Sequence, residues 1–365
     1  MLIGATVNFL LGTLLFTGGV RCGLMLLRRG ATANDLFKGK TPLSLAFLGI
    51  YVFFLVLILN LPQMEILPLE WRFHGMKITW SLMRIMLLGI CGVAITVSWY
   101  TARRQVVAIA LLGILGLGGF IGAECYLFSP IHASLTNNLQ ASGVFRQTSD
   151  SSCAPAALAT LLRVWDISTT ESRVAELAQT SRMGTSMPQL IMAAQSFGMD
   201  GRDLSPDLVT LRRINRPGIL SVWLISGDRQ LPHAVALLGI DDQTYFIADP
   251  AYGKIFALSQ QEFTEIWRQE YVPIFRPSEL FLTQAETVHY LQSLGYLPSS
   301  LANAGEASVP SRAIARALAQ FQEDHGLWVT GALDDETRLI LTGPFLENTP
   351  TLKTVAASLR ASPPS

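Results

Sequence analysis

Apolar and polar positions divide this chain of 365 residues into two regions of different texture. Up to residue 128 the apolar positions crowd into four runs with almost no polar face: Leu2–Val20, Pro42–Leu61, Ile78–Tyr100 and Gln105–Phe128. Each approaches or exceeds the roughly 20 residues a helix needs to cross the hydrocarbon layer. Four such runs in succession do not fit buried helices of a soluble core. Beyond residue 128 the apolar positions become periodic. Ala154–Val164, Glu171–Ala178 and Pro188–Phe197 read as helices, with Pro155 tolerated in the first turn of the first. Gly218–Ile225, His233–Ile240 and Thr244–Ala248 are short, apolar and bounded by turn residues, as strands are. Lys254–Leu258 predicts a further strand, followed by a helix through Phe263 and Trp267. Helices first and a mostly antiparallel sheet afterward is an α+β layout. From about Thr283 the helical period returns in Thr287–Tyr296, Ala313–His325 and Asp334–Leu341, the last with Asp334 as N-cap.

These patterns set the expected organisation. Residues 1–128 form an all-α membrane region of four transmembrane helices, 129–142 a polar linker and 143–277 an α+β domain. Residues 283–342 form a small three-helix domain. The tail 346–365, rich in Ser, Thr, Pro and Ala, is expected to be disordered.

Composition and charge sharpen the picture. Half the residues are hydrophobic and only 15% are charged, too apolar for an ordinary soluble protein. The net charge is zero, which gives no reason to expect a nucleic-acid partner. The first loop between apolar runs carries Arg21, Arg28, Arg29, Lys38 and Lys40, and the third carries Arg103 and Arg104. The second has only Arg72 and Lys77, diluted by Glu65 and Glu70. The positive-inside rule then puts loops one and three in the cytoplasm. Both termini face outward, and everything after Phe128 lies on the periplasmic or outer side of a multi-pass inner-membrane protein. A miscount of one helix inverts this orientation. The first run lacks a basic segment before it, so it does not read as a secretory signal. Arg84 and Glu124 lie within about two turns of the outer face on consecutive runs, where they either pair or reach the interface separately.

The candidate chemistry lies in the α+β region. Four cysteines are present; Cys22, Cys91 and Cys125 fall in or at the edge of apolar segments, leaving Cys153 alone in the rest of the chain. Cys153 opens an apolar helix, where unpaired N–H groups and the helix dipole favour thiolate. His233 is the only histidine between Gly143 and Pro277, and Asp249 ends a strand before Pro250. Gln147 stands six residues before the thiol. A thiolate, a base, a group that orients the base and a donor for an oxyanion are the parts of a cysteine peptidase. The bland alternative makes Cys153 core packing, His233 a strand residue and Asp249 a turn former, in a fold that only binds peptides.

Taken together, Gln147-x5-Cys153, Gly184-Thr-Ser-x-x-x-Leu190, His233-Ala-Val-Ala-Leu237 and Ala248-Asp-Pro250 ahead of Gly253-Lys resemble the bacteriocin-processing peptidases, papain-like enzymes that remove double-glycine leader peptides. The likeness covers Gly143 to about Pro277. It implies a papain-like fold, Cys153 as nucleophile, His233 as base, Asp249 as its orienter, Gln147 as oxyanion donor, and a peptide or protein substrate. The family usually has Asp-Cys-Gly where this chain has Ser152-Cys153-Ala154, so a methyl group is expected near the cleft. No Gly-x4-Gly-Lys-Ser/Thr occurs, which separates this chain from the ATP-driven exporters that usually carry such a domain. Neither cofactor nor metal is called for. The pattern Val288-x-x-Leu-Gln-x-Leu-Gly-Tyr296, with Phe321-Gln322, Gly326-Leu327, Gly331 and Thr337, is similar to the peptidoglycan-binding three-helix domain. That resemblance implies peptidoglycan as a partner alongside the lipid bilayer. The sequence thus points to a membrane-anchored cysteine peptidase tethered to the cell wall. The rival is a non-catalytic scaffold, since similar pairings of domains resemble the outer parts of secretion-assembly factors.

Overall fold

The structure, a computed structural model, describes residues 2–33, 49, 52–53, 56, 60, 67–226, 229–298 and 310–361. These fall into two compact units, Met1–Ser129 and Pro130–Ser365.

The first unit contains α1 (Leu2–Arg28), the short α2 (Leu69–Phe73), α3 (Gly75–Thr101) and α4 (Arg103–Leu127). Among the described residues α1, α3 and α4 are long and apolar enough to cross a membrane. The expected second run, Pro42–Leu61, falls largely outside the described residues. Helix α1 continues past Val20 to Arg28 because it packs along α3 through small residues. A Cβ added at Gly19 would lie 2.2 Å from the Gly89 carbonyl oxygen, and one at Gly92 would lie 2.4 Å from the Phe16 oxygen. Only glycine lets two helix backbones approach this closely. Helix α4 meets α3 through the Trp80–Phe120 ring contact and through Arg84, whose Nη1 donates to Glu124 Oε2 at 2.8 Å. The two charges expected within the runs therefore pair with each other.

The second unit is built on a six-stranded antiparallel sheet, in which the last strand in sequence lies second from one edge. A small hairpin of β1 (Asn138–Leu139) and β2 (Phe145–Arg146) comes first. Three helices follow: α5 (Cys153–Val164), α6 (Glu171–Leu177) and α7 (Met187–Gln195). Each agrees with its sequence expectation within about two residues. Helix α7 starts where Ser186 N–H donates to Gln189 Oε1 at 2.8 Å, half of a capping box. After β3 (Asp200–Gly201) and α8 (Leu208–Ile214) the chain enters β4 (Gly218–Ser226), β5 (Arg229–Ile240), β6 (Thr244–Asp249) and β7 (Lys254–Ser259). Helix α9 (Gln260–Ile266) leads into β8 (Trp267–Phe275), which runs back between β3 and β4. The order of elements is the expected α+β layout.

Two expectations need correction. The stretch 129–142 is not a free linker. Ile131 and Leu135 are buried against Ala175 of α6, and Ile131 N–H donates to Thr180 O at 3.2 Å. A single 3-10 turn, His132–Ser134, brings the two apolar side chains onto one face. The helices α10 (Gln284–Ser293), α11 (Ser311–Asp324) and α12 (Asp335–Thr342) lie where the three-helix domain was expected, with Asp334 Oδ1 accepting from Thr337 N at 2.8 Å. Leu291, Phe321 and Leu339 share one hydrophobic cluster with Leu211, Tyr245, Phe263 and Tyr271 of the sheet side. Finally, the tail expected to be disordered from 346 folds as α13 (Leu352–Ala361). Leu352 and Ala356 are buried, and Gly239 of β5 permits the contact: a Cβ there would lie 2.6 Å from Ala356 N.

Candidate active site

Helix α5 begins at Cys153 because the residues before it make a tight turn. Ser152 Oγ donates to Ser149 O at 2.8 Å and accepts from Ser149 N–H at 3.0 Å. This leaves Ser152 non-helical and fully buried, and it sets the thiol at the first helical position, partly exposed. Burial alone would raise the thiol's pKa. The His233 ring, by hydrogen bond and charge, and the amides of Ala234 and Ala154 outweigh it, and the net effect lowers it. Ala154, next to the thiol, is buried.

Strands β5 and β6 are antiparallel neighbours, so the start of one lies beside the end of the other. That brings together His233 and Asp249, both buried, with Nε2 of the ring 2.7 Å from Asp249 Oδ1. Asp249 Oδ1 also accepts from Ala251 N–H at 2.8 Å, which fixes the carboxylate at the turn. With Nε2 on the carboxylate, the other ring nitrogen is left for the thiol. Burial would lower the His233 pKa, but Asp249 and then Cys153 raise it to about 9. A lowered thiol beside a raised imidazole favours a thiolate–imidazolium pair near neutral pH.

Gln147 is joined to both halves of this arrangement. Its backbone N–H donates to Pro250 O at 2.9 Å, in the turn after Asp249. Its Nε2 donates to Ser149 O at 3.0 Å, in the turn before Cys153. Its Oε1 is buried without a hydrogen-bond partner among the described residues. The four residues singled out from the sequence therefore come together: three linked through side chains, the fourth through the loops that carry them. Sequence reasoning missed Glu171, which is fully buried and holds Thr148, next to Gln147. An acid in the first turn of a helix is ordinarily exposed, so the sequence carries no signal for it. Among the described residues no cluster of His, Cys, Asp and Glu is arranged to hold a metal ion.

Residues 142–279 match the Peptidase C39 family, and residues 286–341 match a peptidoglycan binding domain. An uncharacterised protein of Methanothermobacter marburgensis is 39% identical over 112 residues, which is 31% of this chain and 74% of the relative. Another, from Methanothermobacter thermautotrophicus, is 34% identical over 136 residues, 37% of this chain and 90% of the relative. Among solved structures, the peptidase domain of Streptococcus ComA, a bifunctional ABC transporter involved in a quorum-sensing pathway, is similar at 24% identity with a TM-score of 0.33. That match covers 36% of this chain and 96% of the other. The chain belongs to the Peptidase C39 family and carries a peptidoglycan-binding domain after its peptidase domain.

Proposed function

We propose that this protein is a membrane-anchored cysteine endopeptidase. Cys153 is its nucleophile, His233 its acid and base, Asp249 the group that orients the ring, and Gln147 an oxyanion donor. The observation that carries the reading is the continuous chain of contacts from thiol to imidazole to carboxylate, with the thiol pKa lowered and the imidazole pKa raised. A fold kept only for docking has no need to ionise a partly exposed thiol.

The steps follow from these groups. The Cys153 thiolate attacks the scissile carbonyl carbon, and the carbonyl π electrons move onto oxygen. Donors near Cys153 stabilise that oxyanion; the Gln147 amide and the N–H at the helix start are suited to it. The tetrahedral centre collapses, the C–N bond breaks, and imidazolium gives its proton to the leaving amine. A thioester and neutral His233 remain. His233 then takes a proton from water as its oxygen attacks the thioester. The carboxyl product leaves, and thiolate and imidazolium are restored.

The three apolar helices among the described residues support anchoring in a membrane. With four spans, the basic loops support a location of the peptidase on the outer side of an inner membrane, and the C-terminal domain supports contact with peptidoglycan there. A thiol-reactive peptidyl inhibitor tests the reading. Labelling should occur at Cys153 and disappear in His233→Ala. No labelling of the wild type, or labelling indifferent to His233, would favour the docking scaffold.

A further inference from the structure

Glu171 is a charged group that the proposed mechanism leaves unused. It is fully buried at the first position of α6, and both carboxylate oxygens converge on a single residue. Thr148 N–H donates to Oε1 at 3.0 Å and Thr148 Oγ1 to Oε2 at 2.9 Å. Burying a carboxylate is costly unless hydrogen bonds compensate, and those to an ionised acceptor are about twice as strong as neutral ones. A strong two-point clamp is thus spent on the residue that follows Gln147.

The neighbouring bonds show what the clamp accomplishes. Residues 147, 148 and 149 are each held by a different part of the fold. Gln147 N–H is bound to Pro250 O at 2.9 Å, Thr148 to Glu171, and Ser149 N–H to Ser152 Oγ at 3.0 Å. Thr148 Oγ1 also accepts from Thr136 N–H at 3.2 Å. The first tie runs to the Asp249 turn and the third to the start of the Cys153 helix. Without the middle tie the Gln147 side chain would hang on a loop pinned only at its ends. We infer that Glu171 is a positioning residue for the oxyanion side of the site, fixing Thr148 and, through it, the Gln147 amide relative to Cys153. This assignment rests on the peptidase reading.

Two reagents separate positioning from general structure. Iodoacetamide alkylates the thiolate by displacing iodide and forms no oxyanion. p-Nitrophenyl acetate acylates it through a tetrahedral oxyanion, releasing p-nitrophenolate and leaving an acetyl thioester. Both are run on the full chain in detergent, and the Cys153 peptide is followed by mass spectrometry to set the other three cysteines aside. Glu171→Gln should slow acylation about tenfold, within the ~10²–10³-fold cost of losing an oxyanion donor outright. It should leave alkylation within about twofold. Thr148→Val, which keeps the N–H and loses the hydroxyl, should show the same selective loss, and Thr148→Ser should behave as wild type. In a Gln147→Ala background, Glu171→Gln should cost less than about twofold more.

Equal loss of acylation and alkylation, or full multiplication of the Glu171 and Gln147 effects, would overturn the assignment while leaving the peptidase reading intact. Should Glu171→Gln not fold, the Thr148 pair decides on the same criteria. A wild type that is never acylated at Cys153 would remove the peptidase reading and this assignment together.

Discussion

Asp249→Asn keeps the shape of the side chain and removes its charge, and its consequence can be worked from the site. His233 is buried, and burial alone would push its pKa below the ordinary 6.5; Asp249, with Cys153, carries it instead to about 9. That difference corresponds to roughly 3 kcal/mol of preference for imidazolium. The direction follows from the sign of each group. Imidazolium is present below about 9 and lost as pH rises through it, whereas thiolate is present above its lowered pKa and lost as pH falls through that. The reactive pair occupies the window between, and the two groups titrate together. Without the carboxylate, burial pulls the His233 pKa back down from about 9, opposed only by Cys153. If it falls to about the ordinary 6.5, its protonated fraction at about pH 7.5 drops from nearly complete to roughly a tenth. Alkylation of Cys153 by iodoacetamide, followed by mass spectrometry across pH, should slow about tenfold there. Its midpoint should move up toward the ordinary thiol value of 9.0. A wild-type midpoint already at that value, or a variant midpoint that does not move, would refute the reasoning.

Other parts of the fold make further commitments. Arg216 is fully buried. Its Nε donates to Glu279 at 2.9 Å, and its other nitrogens donate to the Leu339 carbonyl at 3.1 Å and Thr342 Oγ1 at 2.9 Å, joining the sheet to α12. Breaking a buried pair from one side costs about 3–5 kcal/mol. Arg216→Met should therefore lower the free energy of urea unfolding of the second unit by about that amount, whereas Arg360→Ala, which removes a pair with Asp241 that is exposed at its Arg360 end, should change it by less than about 1 kcal/mol. Equal effects would contradict the buried latch. Gly92→Ala should weaken the α1–α3 pairing and lower thermal stability in detergent, while Gly18→Ala, with nothing within 4 Å, should not. Leu352→Ala should destabilise by about 2–5 kcal/mol, as a core truncation does; a neutral result would mean that α13 contributes nothing.

How far the sequence reached depends on how local each signal is. Cys153 at the head of an apolar helix, His233 at the start of an apolar run and Asp249 before proline are each marked by their immediate neighbours. The antiparallel β5–β6 pair needs only a short turn to bring the last two together. Strand β8 was not foreseen because Arg268 and Glu270 break its apolar run and Pro273 argues against a strand inside a sheet, yet Pro273 sits opposite Gly218 there. Helix α13 was hidden by a composition typical of disorder. Its order comes from Leu352 and Ala356 finding the bare backbone at Gly239, more than a hundred residues away. The docking of Ile131 and Leu135 on Ala175, and the burial of Glu171, are likewise tertiary facts with no local trace.

The Cys153 thiolate is proposed to break peptide bonds outside the cytoplasm. The most direct measurement compares, by mass spectrometry, the periplasmic peptides of cells making the wild-type protein with those of cells making Cys153→Ala. One or more fragments with new C-termini should vanish in the variant while their longer precursors accumulate. Identical peptide sets from the two strains, with both proteins present at equal levels, would contradict the proposal.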